Sequence, residues 1–194
     1  MKDMGQMNGK TERQMGKPVT WFLTYYPSWM RRVSMVDEEA RQMVYGFKDG
    51  RTIETELVAR ETARRLRTQY GSSCGDIVLS CVPASSSARN ERRYREFCRR
   101  VSELTGCING FDHVRVRNSR PTLHGNRPQE EEILGLCNLE FDEEWFRGRR
   151  VVCFDDVLTK GNTYARYAEQ LETIGADVLG GLFLARTYKR KERV

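Results

Sequence analysis

Apolar residues recur along the chain with two periods, one typical of amphipathic helices and the other of buried strands. The short apolar runs end at polar loops, and the helical patterns each end at a glycine, which is a common helix C-terminal signal. Strands are predicted at 76–82, 149–157 and 176–186, and helices at 52–71, 90–106 and 163–175. Strands that alternate with helices in this way predict an α/β fold, in which a parallel twisted sheet is flanked by helices.

Three further segments complete the pattern. Residues 36–47 are predicted to form a helix with Asp37 as its N-cap, and residues 111–117 alternate like a strand. The segment 118–132 is polar and is predicted to be a loop. The basic residues of helix 90–106 are predicted to lie on its solvent-facing side; they are Arg92, Arg93, Arg95, Arg99 and Arg100.

The length of 194 residues suits one domain with a proper core. We expect a flexible N-terminal tail at 1–20 and a single domain at 21–190, because the first twenty residues are polar and dotted with methionine. The tail has no hydrophobic segment of the kind found in a secretory signal, and no apolar stretch approaches the length of a membrane span. We therefore expect no membrane partner.

Cysteine usage and charge limit the setting further. The chain has six cysteines but no CxxC pair and no Cys/His cluster with zinc spacing, which predicts free thiols in a reducing, cytoplasmic location. The formal net charge of +6 is mild and spread along the chain. It is compatible with a polyanionic ligand or with nucleic acid, but a solvated surface explains it better.

Two adjacent acids, Asp155 and Asp156, follow four apolar residues at the mouth of a predicted strand. Loops 83–91 and 155–163 both follow strands and both lead into helix N-termini, which favour anions. Two such loops predict a ligand with a phosphate at each end. Because adjacent carboxylates repel each other, we expect a hydrogen-donating ribose diol or a Mg²⁺ ion between them.

The stretch VVCFDDVLTKGNT, residues 151–163, resembles the phosphoribosyl pyrophosphate (PRPP) motif of type I phosphoribosyltransferases. It has four apolar residues, two acids, two apolar residues and a T-x-G-x-T-like loop. The order of elements from Tyr45 to Arg186, with FKDGR and VPASSSARNERR, is similar to the competence-protein-F-like branch of that family. The paired CxxC motifs of an N-terminal zinc ribbon, which many members of that branch carry, do not occur in this chain.

The resemblance implies an enzyme, a pentosyltransferase that transfers the 5-phosphoribosyl group from PRPP to a nitrogen acceptor and releases pyrophosphate. Asp155 and Asp156 would hold the ribose hydroxyls and a Mg²⁺ cofactor, directly or through water. The residues that would bind the ribose 5-phosphate with them are Thr159, Lys160, Gly161, Asn162 and Thr163. The residues that would bind the pyrophosphate are Ala84, Ser85, Ser86 and Arg120.

The segment 118–129 would be the lid of such an enzyme. Its Arg127 would join Asp155 and Asp156 as a catalytic residue. Thr159 stands where purine-salvage relatives have an aspartate, which makes 6-oxopurine salvage an unfavoured reaction. The acceptor therefore stays open, and so does a homodimeric state.

Two alternatives compete with this interpretation. The acid pair is also found in phospho-accepting receiver domains and in acid-cluster hydrolases, although receivers place the pair after the first strand. The same fold also serves as a regulatory module that senses PRPP or a nucleotide and acts on nucleic acid. The arginine-rich helix 90–106 would suit that second role.

Overall fold

The computed structural model describes residues 9–14, 16–117 and 139–188. The strands are β1 Lys10–Gln14, β2 Lys17–Tyr25, β3 Ile77–Cys81, β4 Ile108–Asn109, β5 Val114–Val116, β6 Leu139–Phe141, β7 Arg150–Leu158 and β8 Asp177–Thr187. The helices are α1 Met35–Lys48, α2 Thr52–Tyr70, α3 Ser87–Thr105, α4 Glu143–Phe146 and α5 Asn162–Thr173. Short 3-10 helices cover Gly71–Asp76 and Phe111–His113.

Six strands form the main sheet in the order β1-β2-β8-β7-β3-β4. All neighbouring pairs are parallel except β1 with β2, so the predicted α/β fold with a mostly parallel sheet is confirmed. The five residues of β3 are all buried, as expected for a strand that helices cover on both faces.

Each face of the sheet has its own core. On one face, α1, α2 and α3 cover the sheet, and the ring of Phe97 packs 5.3 Å from that of Phe47 and 4.4 Å from that of Phe154. On the other face, α5 contributes Tyr164 and Tyr167, both almost fully buried. Successive side chains of β7 enter the two cores alternately, because a strand has a two-residue period.

The predicted helices are confirmed, with one change at a cap. Helix α1 begins at a capping box, in which the Asp37 backbone N–H donates to Ser34 Oγ at 3.2 Å and the Ser34 backbone N–H donates to the Asp37 carboxylate at 3.4 Å. Ser34 is therefore the N-cap, and Asp37, predicted as the N-cap, is the third helical residue. Gly106 ends α3 with a φ of 77°, a left-handed conformation that favours glycine.

The expected tail is wrong from Lys10 onward. β1 covers Lys10–Gln14 and β2 begins at Lys17, so the boundary placed after residue 20 falls inside a strand. Val19 is fully buried and Phe22 nearly so, because β2 pairs with β8 and shares its two cores. This burial fixes the segment in the sheet.

The strand predicted at 111–117 is shorter than expected and does not belong to the main sheet. Residues Phe111–His113 form a 3-10 turn, and only β5 is extended. It pairs antiparallel with β6 in a separate two-stranded sheet, and the short strand β4 takes the position beside β3.

Two expectations concern the whole chain. Across the described residues, no helix is long and apolar enough to cross a membrane. Five of the six cysteines lie within the described ranges, and all five are buried free thiols; they are Cys74, Cys81, Cys98, Cys107 and Cys153.

Candidate functional site

The acid pair lies where β3 has already ended but β7 continues. Cys81, the last residue of β3, pairs with Phe154, and the Val82 backbone N–H donates to the Phe154 carbonyl at 2.8 Å. Asp155 and Asp156 are the next two residues of β7, which runs on to Leu158. The pair therefore lies inside β7, two residues before the strand ends, whereas we predicted it at the strand's mouth.

Asp156 is neutralised by two cations from two helices. Arg93 Nη1 in α3 donates to Asp156 Oδ2, and Lys48 Nζ at the end of α1 lies 3.4 Å from Asp156 Oδ1. The Asp156 side chain is 9% exposed and that of Arg93 15%. A buried charge needs such partners, and they explain how the fold tolerates adjacent carboxyl groups.

Asp155 has different surroundings. Its Oδ1 atom accepts from the backbone N–H of Asp156 at 2.8 Å and from the Tyr94 hydroxyl at 3.4 Å. Burial, and then the negative charge of Asp156, raise the pKa of the Asp155 carboxyl from 3.8 to about 8. The raised pKa favours the protonated carboxyl, which can both donate and accept hydrogen bonds.

Arg93, Lys48 and Tyr94 were not among the predicted site residues. The sequence pattern predicts Arg93 on the solvent-facing side of its helix, yet its side chain is mostly buried. A signal was present, since Arg93 lies three residues after the buried Asn90 and four before the buried Phe97. Because charged side chains are mostly exposed, Arg93 was not predicted to belong to the buried stripe of α3.

The loop after β3 is held by the first turn of α3. The Ala84 backbone N–H donates to Asn90 Oδ1 at 3.0 Å, and Ser86 is the N-cap of α3. Arg89 donates from Nη1 to Ser85 Oγ at 3.0 Å. The Ala84 N–H therefore already has a partner. The hydroxyls of Ser85 and Ser86 both accept from Arg89, and each keeps an O–H that can donate to a ligand.

The loop after β7 is held by contacts to the last residues of β1 and β8. The Thr159 and Thr187 hydroxyls are 3.0 Å apart, and Gln14 donates to the Lys160 carbonyl at 2.9 Å. Gly161 has a φ of 82° and is the N-cap of α5. The remaining predicted residues, Asn162 and Thr163, form the first turn of that helix.

The structure therefore brings most of the predicted site residues to one edge of the sheet. The acid pair, the loop 84–86 and the loop 159–163 all follow or end the neighbouring parallel strands β3 and β7. Arg120, Arg127 and the predicted lid at 118–129 lie outside the described residues. Their roles stay predictions.

A magnesium ion coordinated directly by Asp156 does not fit these contacts. Each carboxylate oxygen of Asp156 already faces a cation, Arg93 or Lys48. Across the described residues, no three His, Cys, Asp or Glu side chains are grouped as metal ligands would be. Magnesium at this site stays a prediction.

A separate polar cleft of about 220 Å³ lies beside the paired strands β5 and β6. His113 Nδ1 is 2.9 Å from Asp142 Oδ2, and the imidazole stacks on Trp145 with ring centroids 3.5 Å apart. The hydrogen bond to His113 lowers the pKa of Asp142. None of the predicted site residues that the structure describes lines this cleft.

Comparison with known proteins gives only distant likenesses. No protein-family model matches the chain, and no curated protein matches its sequence. Among solved structures, UMP synthase from Leishmania donovani is 19% identical with a TM-score of 0.41, over 69% of this chain and 22% of that one. An allosteric regulatory enzyme of purine biosynthesis is 21% identical with a TM-score of 0.41, over 66% of this chain and 25% of that one.

A purine phosphoribosyltransferase from Pyrococcus horikoshii Ot3 is 13% identical with a TM-score of 0.35, over 88% of this chain and 95% of that one. This chain spans a quarter or less of the length of the other two proteins. Likeness at this level carries no argument about function. The narrower resemblance to the competence-protein-F-like branch stays a prediction.

The raised pKa of Asp155 predicts a pH-dependent stability. The folded state holds the Asp155 proton more tightly than the unfolded state, so this contribution is complete below about pH 4 and is lost as the pH rises toward 8. In Asp155→Asn, the free energy of unfolding should therefore fall less steeply with rising pH between these two values. Urea unfolding of both proteins at several pH values measures it, and equal slopes would contradict the assignment.

Gly161 predicts a second effect on stability. Its φ of 82° strains any other residue, and a Cβ there would collide with the Gln14 side-chain amide. Gly161→Ala should therefore destabilise the fold by about 1–2 kcal/mol through the backbone, and by a further 0.5–1.5 kcal/mol, roughly, through the lost Gln14 hydrogen bond.

Gly148→Ala is the matched control for Gly161→Ala. Gly148 has a φ of 72°, but a Cβ there would have no heavy atom within 4 Å. Thermal or urea unfolding of the two variants should therefore give a larger loss for Gly161→Ala. Equal losses would show that the Gln14 contact does not stabilise the loop.

Proposed function

We propose that the protein is a phosphoribosyltransferase, which transfers the 5-phosphoribosyl group of PRPP to a nitrogen acceptor and releases pyrophosphate. The observation that carries the proposal is the carboxyl pair Asp155–Asp156 between the starts of two long helices, α3 and α5, at the carboxyl edge of adjacent parallel strands. A diol between two anionic groups matches that arrangement of polar groups.

Each part of the site has a role in this proposal. Asp155 hydrogen-bonds a ribose hydroxyl, while Asp156 holds the pair in place through its own cations. The loop 159–163 and the N-terminus of α5 bind the 5-phosphate. Ser85 and Ser86, at the N-terminus of α3, bind the pyrophosphate, with the Arg89 guanidinium beside them.

In the reaction, the bond from the anomeric carbon to the pyrophosphate oxygen breaks, and its electron pair leaves with pyrophosphate. The acceptor nitrogen forms the new bond to that carbon and loses a proton. Positive charge develops on the ribose ring between these events. The chain's contribution is to orient both phosphate ends, which fixes the anomeric carbon in place for attack.

The regulatory alternative finds less support in the charge pattern of α3. Its arginines pair with carboxylates: Arg95 with Glu91, Arg99 with Glu96 at 2.6 Å, and Arg100 with Glu56 at 2.8 Å. These pairs reduce the positive field that nucleic acid would meet. We therefore favour the enzyme. A magnesium cofactor, a cytoplasmic location and a homodimer remain predictions.

The proposal predicts PRPP binding through Asp155. PRPP at a hundredfold excess over its Kd should stabilise the fold by about 2.7 kcal/mol. Asp155→Asn should weaken PRPP binding by about tenfold, because it replaces a carboxyl that hydrogen-bonds the diol. Calorimetric titration measures both effects.

Asp177→Asn is the control for that titration, since Asp177 is exposed and begins β8 at the opposite edge of the sheet. It should leave PRPP affinity unchanged. Wild-type affinity in Asp155→Asn would remove Asp155 from the site, and no binding of PRPP by the wild type would refute the proposed function.

Turnover separates the enzyme from the regulator. We expect pyrophosphate release from PRPP with at least one member of a panel of amines and nitrogen bases. The assay is a coupled measurement of pyrophosphate, with acceptor omitted as the blank. PRPP binding without release, together with salt-sensitive and PRPP-dependent binding to DNA or RNA, would favour the regulatory alternative.

A further inference from the structure

The acid pair is already supplied with positive charge by the chain itself. Arg93 donates to one oxygen of Asp156, and the ammonium group of Lys48 lies 3.4 Å from the other. Both cations therefore face the single carboxylate of Asp156. An added divalent cation at Asp156 would meet repulsion from both of these side chains, at distances where charges interact strongly.

Three contacts hold Arg93 in this position. Its Nε donates to the Lys48 backbone carbonyl at 3.4 Å, and its guanidinium carbon lies 5.6 Å from the centre of the Tyr94 ring. The ion pair to Asp156 is the third contact. The guanidinium is thus fixed by a backbone atom and an aromatic ring as well as by the acid.

Lys48 has independent reasons to be where it is. It is the last residue of α1, where the helix dipole favours a cation. The turn that follows has Gly50 at a φ of 67°, and a Cβ there would collide with the backbone carbonyl of Arg92. Glycine at this position lets the end of α1 approach α3, which brings both cations to one carboxylate.

We propose that Arg93 and Lys48 take the place of a divalent metal at Asp156, so that the ribose 5-phosphate part of a ligand binds without a metal. The proposal rests on the proposed function and identifies two positioning residues of the same site. Both act through Asp156, which keeps the acid pair in place for the ribose hydroxyls. It is a departure from the magnesium site that the family resemblance implies.

The first test uses ribose 5-phosphate, which has the diol and one phosphate but no pyrophosphate to chelate a metal. Its Kd should agree within about twofold in EDTA and in millimolar magnesium chloride. PRPP is titrated under the same two conditions. If PRPP binds and ribose 5-phosphate needs magnesium, this inference fails while the proposed function stands. If neither ligand binds under either condition, the proposed function fails and the inference with it.

The second test changes the cation. Arg93→Gln should weaken ribose 5-phosphate binding by about tenfold in EDTA, and magnesium should restore it, because the buried carboxylate is then left without its main partner. Arg93→Lys keeps the charge and should stay independent of magnesium. Arg99→Gln removes the same charge from an exposed position of α3 and should behave as the wild type.

A purely structural role for Arg93 would weaken binding without restoration by magnesium, and that result would contradict the proposal. Tighter binding by Arg93→Gln than by the wild type would also contradict it, since the guanidinium would then compete with the ligand.

A third measurement uses only the wild-type protein. Manganese ions, as a spectroscopic substitute for magnesium, are titrated with the wild-type protein alone and followed by electron paramagnetic resonance. The free-ion signal should be undiminished at millimolar protein. Stoichiometric uptake of manganese by the wild type would overturn the inference.

Discussion

The contact between Asp156 and its two cations is the constraint around which the candidate site is organised. It joins three elements that are far apart in sequence, since β7 supplies the carboxylate, α3 the guanidinium and α1 the ammonium group. A buried ion pair adds little to stability in itself, but removing one partner from such a pair costs about 3–5 kcal/mol, because the other charge is left uncompensated. The three elements are therefore held to one mutual arrangement.

That arrangement also sets the chemical contrast within the acid pair. Asp156 has charged partners, whereas Asp155 has a hydroxyl and a backbone N–H. Burial and the negative charge of Asp156 raise the pKa of Asp155, which favours its protonated form. Two residues of the same type thus divide the work, with one carrying charge inside the fold and the other presenting a polar group beside the loops.

Much of the fold could be predicted from local patterns. The stripe from Tyr94 to Val101 and the glycine at Gly106 define α3, because helical spacing and a left-handed terminus are readable in sequence. Strand β1 could not be found this way, since KTERQ is polar and its pairing depends on β2. The short strand β4 likewise owes its place to its pairing with β3.

The candidate site was likewise predictable only where its residues lie next to strands in the sequence. The acid pair and the two loops lie next to strands in the sequence, so their common position at the sheet edge follows from topology. The burial of Arg93 depends on α1 approaching α3, which is a tertiary contact that no local pattern contains. Ala84 is likewise predicted to bind pyrophosphate, but its N–H is bonded to Asn90, six residues further along the chain.

The pairing of β2 with β8 has a consequence for the order in which the protein is made. Lys17 donates to the carbonyl of Val178, 161 positions later in the chain. At about 5–20 residues per second, the ribosome would complete β8 roughly 10–30 s after β2. During that interval Val19 and Phe22 lack their eventual neighbour, and only β1 is at hand to pair with β2. The nascent chain would therefore present an apolar strand edge that chaperones recognise.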